Sequence, residues 1–234
     1  MPRNLAIVGY GKMGRLIESL APAYDFQVAL KLDEFNNCRS EGLTAANFKG
    51  IDVAIEFSVP GVVPANVEGI ATFGVPIVVG TTGWLGHVDA VKASIARHDS
   101  ALVWSPNFSI GVNAFFRIIA EATRLLAAEP EYGAWAWEIH HSQKQDAPSG
   151  TLLKLVDEMK KSGYNRPIDI SSNRAGAIPG THEIGFDSSA DTITLRHTAR
   201  SREGFARGAL KAAQWIIGKK GFYEWPQMNA DERR

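Results

Sequence analysis

The chain has 234 residues, of which 45% are hydrophobic and 21% are charged, and its 25 basic side chains balance 25 acidic ones. This length accommodates one large domain or two compact ones, and the composition is ordinary for a globular protein. The balanced charge gives no general attraction to nucleic acid or to an anionic membrane, so we expect neither as a partner.

The beginning of the chain and its cysteine content bound the cellular context. Glycine appears by Gly9, and no stretch approaches the roughly 18 consecutive apolar residues of a membrane helix. We therefore expect a cytoplasmic protein. The single cysteine, Cys38, excludes an internal disulfide and a cysteine-based metal cluster, and its polar neighbours favour an incidental thiol.

Short apolar runs alternate with segments of helical periodicity in the first half of the chain. The predicted strands are residues 4–9, the segment FQVALKLD, and residues 52–58, 75–80 and 101–104. The predicted helices are residues 12–23 and the segments VVPANVEGIATFG and WLGHVDAVKASIARH. This alternation predicts an α/β fold with a Rossmann-type, doubly wound parallel sheet.

The pattern changes after Pro106. Helical periodicity over about 112–128 and 149–162 flanks WAWEIHH, and two stretches of alternating polarity, THEIGFDSS and DTITLRHTAR, follow. Residues 109–202 are therefore predicted to form a smaller α+β domain with an open mixed or antiparallel sheet.

The end of the chain carries one more predicted helix, GFARGALKAAQWIIG, with no obvious strand of its own. We expect residues 203–234 to return to the first domain, which comprises residues 1–108. Any hinge between the domains would lie near Asn107 and Arg202.

The segment GYGKMG supplies Gly9, Gly11 and Gly14 as G-x-G-x-x-G, directly after a predicted strand and at the start of a predicted helix. In this context the first glycine permits a tight turn, the second lets a pyrophosphate approach the backbone, and the third lets helix and strand pack closely. The segment predicts a dinucleotide site. A glycine-rich turn required only by its backbone geometry is the alternative.

Asp33 stands at the end of the second predicted strand, about 20 residues beyond the glycine motif. A carboxylate at this position accepts hydrogen bonds from the adenine ribose and repels a 2′-phosphate, which favours NADH over NADPH. Lys31 and Arg39 are close enough in sequence to weaken this inference, and a solvated loop carboxylate is the alternative.

The segment EIHHSQKQDAPSGT, Glu138 to Thr151, concentrates polar groups before a helix. Ser149 is a plausible N-terminal cap, and the free backbone N–H groups of Gly150 and Thr151, with the Thr151 hydroxyl, can receive an anion. His140 and His141 lie at a strand end, where alternation directs them to opposite faces, so only one of them can lead the chemistry.

The residue types in this segment fit a reduction that ends in protonation. A histidine that titrates near neutrality can give a proton to the carbanion or enamine formed by hydride addition. Lys144 can stabilise a carboxylate or a developing negative charge. A purely structural histidine is the alternative for either ring alone, and two adjacent histidines on opposite faces chelate a metal poorly.

The same segment contains E-x-H-x-x-x-K-x-D-x-P-S-G-T, which resembles the signature of the 4-hydroxy-tetrahydrodipicolinate reductase (dihydrodipicolinate reductase) family of lysine biosynthesis. The resemblance covers most of the chain. It includes the segments GYGKMG, VVGTTGW, SPNFSIGVN, RAGAIPGTHE and FARGALKAAQW.

This resemblance implies reduction of a small dicarboxylate heterocycle by NADH or NADPH, in a homotetramer assembled through the open sheet. His140 would be the proton donor and Lys144 its cationic partner, with no metal required. Closure of the two domains would exclude water from the reaction. The implied carboxylate-binding residues are His141, Lys144, Ser149, Gly150 and Thr151. The implied cofactor-binding residues are Gly9, Gly11, Lys12, Met13, Gly14, Asp33, Gly80, Thr81, Thr82, Ser105, Asn107 and Phe108.

The chain departs from the family pattern in two respects. Trp135 and Leu152 stand where relatives often have glutamate and alanine. The segment between Ser162 and Arg174 is only about ten residues, where relatives usually carry a longer insertion. The catalytic groups are retained, while the details of the oligomer interface need not be.

Two other functions fit parts of the sequence. Another NAD(P)-dependent two-domain dehydrogenase, such as an amino-acid dehydrogenase, would explain GYGKMG and Asp33 without the histidine–lysine segment. A non-catalytic NAD(P) redox sensor would bind the dinucleotide and would not require His140 or Lys144.

Overall fold

The computed structural model describes residues 1–225. The chain divides into two compact units. The first contains Met1–Ser109 together with the chain from Glu203 onward, and the second contains Ile110–Arg202. Residues 226–234, which belong to the predicted return of the chain, lie outside the described residues.

The first unit is built on a six-stranded sheet in which every neighbouring pair is parallel. Its strands are β1 (Arg3–Val8), β2 (Phe26–Leu32), β3 (Val53–Glu56), β4 (Ile77–Val79), β5 (Ala101–Trp104) and β10 (Gly221–Glu224). Its helices are α1 (Lys12–Leu20), α2 (Val63–Ala71), α3 (Val88–Arg97) and α6 (Glu203–Ile216). The strand order is β10-β5-β4-β3-β1-β2, so the predicted doubly wound sheet is confirmed.

The strand order determines where a ligand can bind in this unit. The chain passes from β1 to β2 on one side and to β3 on the other, so the order reverses beside β1. Such a reversal opens a crevice beyond the carboxyl ends of the strands. The residues that follow β1 and β3, Gly9 and Phe57, therefore stand at the predicted binding edge.

Helices cover both faces of this sheet, which explains why the central strands β3 and β4 are apolar apart from Glu56. One hydrophobic cluster joins Leu5 and Ile55 to Ile17 of α1 and Leu210 of α6. A second cluster on the other face joins alternate strand residues to α2 and α3.

One expectation about the first unit is wrong. The last helix does have a strand of its own, because β10 follows α6 and pairs in parallel with β5. The strand has only four residues, GFYE, and none of them is fully buried. An edge strand of this kind lacks the apolar run by which buried strands are recognised.

The second unit is built on a four-stranded mixed sheet in the order β7-β6-β8-β9. The β6–β7 pair is parallel, and the β6–β8 and β8–β9 pairs are antiparallel. Its strands are β6 (Gly133–His140), β7 (Ile168–Arg174), β8 (Thr181–Asp187) and β9 (Thr192–Thr198), and its helices are α4 (Ile110–Leu126) and α5 (Gly150–Lys161). The predicted second sheet is confirmed, but β7 was not predicted.

The helices of the second unit pack on one face of its sheet. Ala134 and Ala136 of β6 are buried with residues of α4 and α5 in a single hydrophobic cluster. The intervening residues Trp135 and Trp137 are half-buried on the opposite face. The Trp135 ring lies over Gly185 of the neighbouring strand, where a Cβ would overlap it.

None of the helices within residues 1–225 combines the length and the apolar character needed to span a membrane.

Candidate active site

The polar site of the second unit continues the buried face of β6 beyond its alanines. Glu138 and His140 follow Ala134 and Ala136 on that face and are only 0% and 7% exposed. In the sheet, Glu138 is paired with His182 of β8 on one side and with Ser172 of β7 on the other, and His140 is paired with Arg174 of β7. The hydrogen-bonding register of three strands therefore brings these side chains together.

The Glu138 carboxylate is the centre of this cluster. Its Oε1 accepts hydrogen bonds from the Ser149 backbone N–H (2.8 Å), the Ser172 hydroxyl (2.6 Å) and Nη2 of Arg174 (3.1 Å). Its Oε2 accepts a hydrogen bond from the Ser149 hydroxyl. Oε2 also lies 3.5 Å from Nδ1 of His140 and 3.4 Å from Nε2 of His182.

These donors keep Glu138 ionised although it is buried. Burial raises the pKa of a carboxyl group, but the hydrogen bonds from Ser149, Ser172 and Arg174 more than offset that effect and lower the pKa of Glu138 to about 2. The result is a fixed negative charge beside two imidazole rings.

His140 is held in one orientation by its neighbours. Its ring meets that of His182 edge to face, with 5.0 Å between the centroids. A Cβ at Gly180 would lie 2.8 Å from His140 Nε2, and Gly180 also has a φ of +147°, so only glycine fits there. Burial lowers the pKa of His140, the nearby Glu138 charge raises it, and Lys144 and Arg174 lower it further.

His182 is a buried, uncharged partner in the cluster. Burial and the proximity of His140 lower its pKa to about 4, although the Glu138 charge acts in the opposite direction. Its Nε2 lies 3.2 Å from the Ser149 hydroxyl. At neutral pH the ring is therefore neutral and linked to the same serine that binds Glu138.

Ser149 acts as the predicted cap of α5. Its hydroxyl accepts a hydrogen bond from the Leu152 N–H at 3.2 Å, which confirms the predicted helix start. Because the side chain is 2% exposed and is also bound to Glu138, it has little left to offer a ligand. The anion-binding groups at this helix start are thus the backbone N–H groups that follow Ser149.

Lys144 lies in the turn between β6 and α5. Its backbone N–H donates to the His141 carbonyl at 3.1 Å, and its Nζ donates to the Asp146 carboxylate at 2.7 Å. Lys144 and, more weakly, the Gly150 backbone N–H lower the pKa of the Asp146 carboxyl group. A carboxylate of the chain itself therefore already binds the cation that was predicted to bind a substrate carboxylate.

The cluster also contains three side chains of types that bind metal ions. One ligand atom from each of Glu138, His140 and His182 lies within 4.8 Å of the others. The Glu138 oxygens, however, already accept hydrogen bonds from Ser149 and from Arg174, whose charge opposes a bound cation. The hydrogen bonds and the Arg174 ion pair account for the buried charge without a metal ion.

In the first unit, the three glycines of GYGKMG differ in the space around their backbone. Gly9 has a φ of +97° and sits against the Phe57 carbonyl, with no room for a Cβ. A Cβ on Gly14 would lie 2.7 Å from the Gly9 carbonyl oxygen, whereas one on Gly11 would have no neighbour within 4 Å. The backbone at Gly11 is therefore open to a ligand, as a pyrophosphate requires.

A cavity of about 640 Å³ joins the glycine turn to the end of β2. Asp33 lines it, and one of its carboxylate oxygens accepts a hydrogen bond from the Phe35 N–H at 2.9 Å. Cys38 also lines this cavity and is exposed, but a hydrogen bond to Glu41 raises the pKa of its thiol and disfavours the reactive thiolate. The glycine turn, the Asp33 carboxylate and the size of the cavity fit the adenosine end of a dinucleotide.

A second cavity of about 470 Å³ lies at the ends of β3 and β4. The predicted cofactor residues that line it are Gly11, Lys12, Met13, Gly80, Thr81 and Thr82. Ser105, Asn107 and Phe108 line neither cavity. Ser105 is bonded to the Asn107 and Trp225 carbonyl groups, and the buried Phe108 ring packs near Phe57.

Three residues of the site were missed by sequence reasoning: Ser172, Arg174 and His182. The first two lie on the unpredicted strand β7. His182 lies in the stretch THEIGFDSS, whose alternation puts it on the same face as Ile184. That alternation was a usable signal for His182. Arg174 and His182 also lie in RAGAIPGTHE, one of the segments that resemble the family, whereas no apolar pattern marked the strand that carries Ser172 and Arg174.

Replacing Glu138 with glutamine tests the buried charge through stability. The carboxylate stabilises the fold fully above its ordinary pKa of 4.5, and this contribution is lost as the pH falls toward about 2. We expect Glu138→Gln to lower the free energy of unfolding at pH 7 by up to about 3 kcal/mol, and by less at pH 3.5. Urea unfolding at both pH values measures this. Glu129→Gln, at an exposed carboxylate, is the control, and a deficit that does not change with pH would contradict the assignment.

Comparisons with known proteins agree with the geometry of both units. Residues 3–108 match the family model described as "Dihydrodipicolinate reductase, N-terminus", and residues 111–228 match the one described as "Dihydrodipicolinate reductase, C-terminus". A protein from Christiangramia forsetii named 4-hydroxy-tetrahydrodipicolinate reductase is 36% identical, over 97% of this chain and 98% of the relative. A protein of the same name from Methanosarcina mazei is 34% identical, over 94% of this chain and 96% of the relative.

A solved structure shows the same fold. The dipicolinate-bound dihydrodipicolinate reductase from Paenisporosarcina sp. TG-14 superposes with a TM-score of 0.71 at 21% identity, covering 96% of this chain and 98% of the other. Family models that match nearly the whole sequence, and relatives above 30% identity, establish the relationship. The chain belongs to the dihydrodipicolinate reductase family.

Proposed function

We propose that the protein reduces 4-hydroxy-tetrahydrodipicolinate to tetrahydrodipicolinate with NADH or NADPH, in lysine and diaminopimelate biosynthesis. The observation that carries this proposal is the placement of His140 between the ionised Glu138 and Gly180, at the strand end that leads to Lys144 and the start of α5. The family relatives bear the name of this reaction.

The chain's own residues supply the proton and the charge. The substrate's 4-hydroxyl group leaves as water, which gives the dehydrated, unsaturated ring. A bound nicotinamide would supply a hydride to this ring, and the addition would leave a carbanion or enamine carbon. His140 gives that carbon a proton and becomes neutral. Because Glu138 stays ionised 3.5 Å from His140 Nδ1, it stabilises the imidazolium before the transfer.

The lowered pKa of His140 determines at which stage the ring becomes protonated. Burial and the charges of Lys144 and Arg174 favour the neutral ring in the free protein. A dicarboxylate substrate adds negative charge beside the ring and opposes both cations, so binding raises the proton affinity of His140. We infer that the ring takes up its proton with the substrate.

Lys144 and the backbone at the start of α5 would bind the substrate carboxylates. Gly150, Thr151 and His141 lie close to Lys144 in the sequence and would contribute. The contact with Asp146 supports this role, because the Asp146 carboxylate accepts a hydrogen bond from Lys144 Nζ at 2.7 Å, and the Gly150 N–H helps to lower its pKa. A substrate carboxylate would replace Asp146 at Lys144. The solved relative that is described as dipicolinate-bound supports a small dicarboxylate as the ligand class.

The two units would bind different ligands. Residues 1–108, with the returning chain from 203, would bind the dinucleotide, and residues 109–202 would bind the substrate. The sheet face that carries Trp135 and Trp137 would join four copies of the chain, since aromatic side chains are enriched at protein interfaces. Asp33 favours NADH over NADPH.

The deciding experiment is a coupled assay. A synthase generates the substrate from pyruvate and aspartate semialdehyde, this protein is added, and absorbance at 340 nm is followed with NADH and NADPH separately. Oxidation that depends on the synthase supports the proposal and ranks the cofactors. Binding of both dinucleotides without oxidation would favour a redox sensor or a dehydrogenase of another substrate.

The catalytic roles predict selective losses of turnover. His140→Gln and Lys144→Ala should each lower kcat by roughly 10² or more, the scale of a lost acid or charge-stabilising group. Dinucleotide affinity should stay nearly unchanged, because neither residue belongs to the first unit. His87→Gln and Lys160→Ala, at exposed positions, are the matched controls. Wild-type turnover in either active-site variant would refute that residue's role.

Replacing Asp146 should raise the affinity for dipicolinate rather than lower it. Asp146→Asn removes the negative charge that competes for Lys144, so dipicolinate should bind several-fold more tightly than to the wild type. Calorimetric titration with dipicolinate measures the change. Asp157→Asn, which removes an exposed charge paired with Lys161 on α5, is the control. Weaker binding to Asp146→Asn would mean that Asp146 orients Lys144 instead of competing for it.

The cofactor preference depends on Asp33. Asp33→Ala should weaken the binding of NADH more than that of NADPH, because the carboxylate binds the ribose hydroxyls and repels a 2′-phosphate. Dissociation constants for the two cofactors, measured by fluorescence titration, test the ratio. Asp89→Ala, an equal change of charge on α3, should leave the ratio unchanged. An equal loss for both cofactors in Asp33→Ala would show that this carboxylate does not distinguish them.

A further inference from the structure

A second buried glutamate lies in the first unit, at a point that the reaction described above does not use. Glu56 is the last residue of β3 and is 0% exposed. Its backbone carbonyl accepts a hydrogen bond from the Gly80 N–H at 2.8 Å. The next residue, Phe57, donates its N–H to the Val8 carbonyl, also at 2.8 Å. Glu56 therefore stands where the ends of β1, β3 and β4 meet.

The Glu56 side chain ties together three segments of this unit. Its Oε2 accepts a hydrogen bond from the Thr81 hydroxyl at 2.6 Å. Its Oε1 accepts from the Ser58 hydroxyl, from the Ser58 N–H at 3.3 Å and from Nδ2 of Asn66 at 3.3 Å. Thr81 closes the network, because its hydroxyl accepts a hydrogen bond from the Ser58 N–H at 2.8 Å.

The absence of a cation distinguishes this cluster from that of Glu138. Within residues 1–225, each hydrogen bond to the Glu56 carboxyl comes from an uncharged donor. Burial raises the pKa of Glu56, and the hydrogen bonds from Ser58, Thr81 and Asn66 act in the opposite direction. A buried carboxyl without a paired cation costs stability, so its retention calls for a role beyond packing.

Two of the residues that Glu56 holds, Ser58 and Thr81, line the second cavity of about 470 Å³, together with Phe57, Gly80 and Thr82. Ser58 and Asn66 also line the first cavity, whereas Thr81 lines the second cavity and not the first. The Phe57 ring lies directly on Gly80, where a Cβ would overlap it. Glu56 does not line the cavity. It can reach a ligand there only through Ser58 and Thr81.

We propose that Glu56 is a positioning residue for the nicotinamide ring, which fixes the loops after β3 and β4 through Ser58 and Thr81. The inference rests on the proposed function, because it assumes that the nicotinamide end of the cofactor occupies this cavity. The Thr81 hydroxyl is committed to Glu56 as donor and to Ser58 as acceptor. The nicotinamide ring would therefore contact a cavity wall whose hydroxyl groups already form hydrogen bonds. These bonds also fix the backbone of the two loops.

The experiment compares two ligands that differ in the nicotinamide. NADH carries it, whereas ADP-ribose shares only the adenosine diphosphate ribose portion. Glu56→Met removes the acceptors at similar length and should weaken the binding of NADH about tenfold. The loss for ADP-ribose should be several-fold smaller but measurable, because Ser58 and Asn66 also line the first cavity. Glu56→Gln keeps the shape and one acceptor, and its amide can donate to the Ser58 hydroxyl, so it should stay within about threefold of wild type for NADH.

A second variant keeps the test decisive if Glu56→Met does not fold. Thr81→Val removes the hydroxyl that joins the two loops and should show the same selective loss of NADH affinity. Adding Glu56→Gln to Thr81→Val should weaken NADH no further, since both changes act on one network. Ser100→Ala, which removes a buried hydrogen bond to the Val75 carbonyl away from both cavities, is the control for general destabilisation.

The outcomes separate this proposal from the proposed function. A loss of NADH affinity that exceeds the loss of ADP-ribose affinity in Glu56→Met, together with a loss for NADH alone in Thr81→Val, supports the positioning role. A parallel loss of NADH and ADP-ribose, or unchanged NADH affinity in Thr81→Val, overturns it, while turnover in the coupled assay would leave the reductase proposal standing. Failure of the wild-type protein to bind either NADH or NADPH overturns both proposals, and the coupled assay would then show no oxidation.

Discussion

The buried carboxylate of Glu138 is the interaction on which the second unit depends. A charge removed from water is tolerated only when donors replace the lost hydration. Ser149, Ser172 and Arg174 provide those donors, from the start of α5 and from two positions on β7. The same carboxylate therefore fixes the helix start, anchors an edge strand and orients the histidine that we propose as proton donor.

The two buried glutamates show how environment sets the chemistry of one residue type. Glu138 has a guanidinium partner and several hydroxyl and N–H donors, and its pKa falls to about 2. Glu56 has only uncharged donors, and burial raises its pKa. One is a permanent charge that can stabilise an imidazolium. The other is suited to holding loops in place, because its two oxygens accept hydrogen bonds from Ser58, Asn66 and Thr81, which lie in different segments.

The sequence predicts features that local chemistry determines. Continuous apolar runs identify the buried strands of the first unit, GYGKMG identifies its turn, and SGT identifies the start of α5. The strand β7 was missed because Ser172 and Arg174 occupy positions where an apolar pattern would continue toward the core. They are polar because Glu138 needs donors there. That need arises from a residue more than 30 positions away in the chain, so no local pattern reveals it.

The cross-strand register also explains why residues that are far apart in the sequence meet beside His140. Glu138, Ser172 and His182 meet because they are direct partners across β7, β6 and β8. Side chains alternate along a strand, so a slip of one residue in either pairing would turn Ser172 or His182 to the opposite face. Glu138 would then be buried without its donors, at a cost of several kcal/mol. The charge that serves the proposed reaction thus also selects the register of the sheet, and the site forms only when the strands pair correctly.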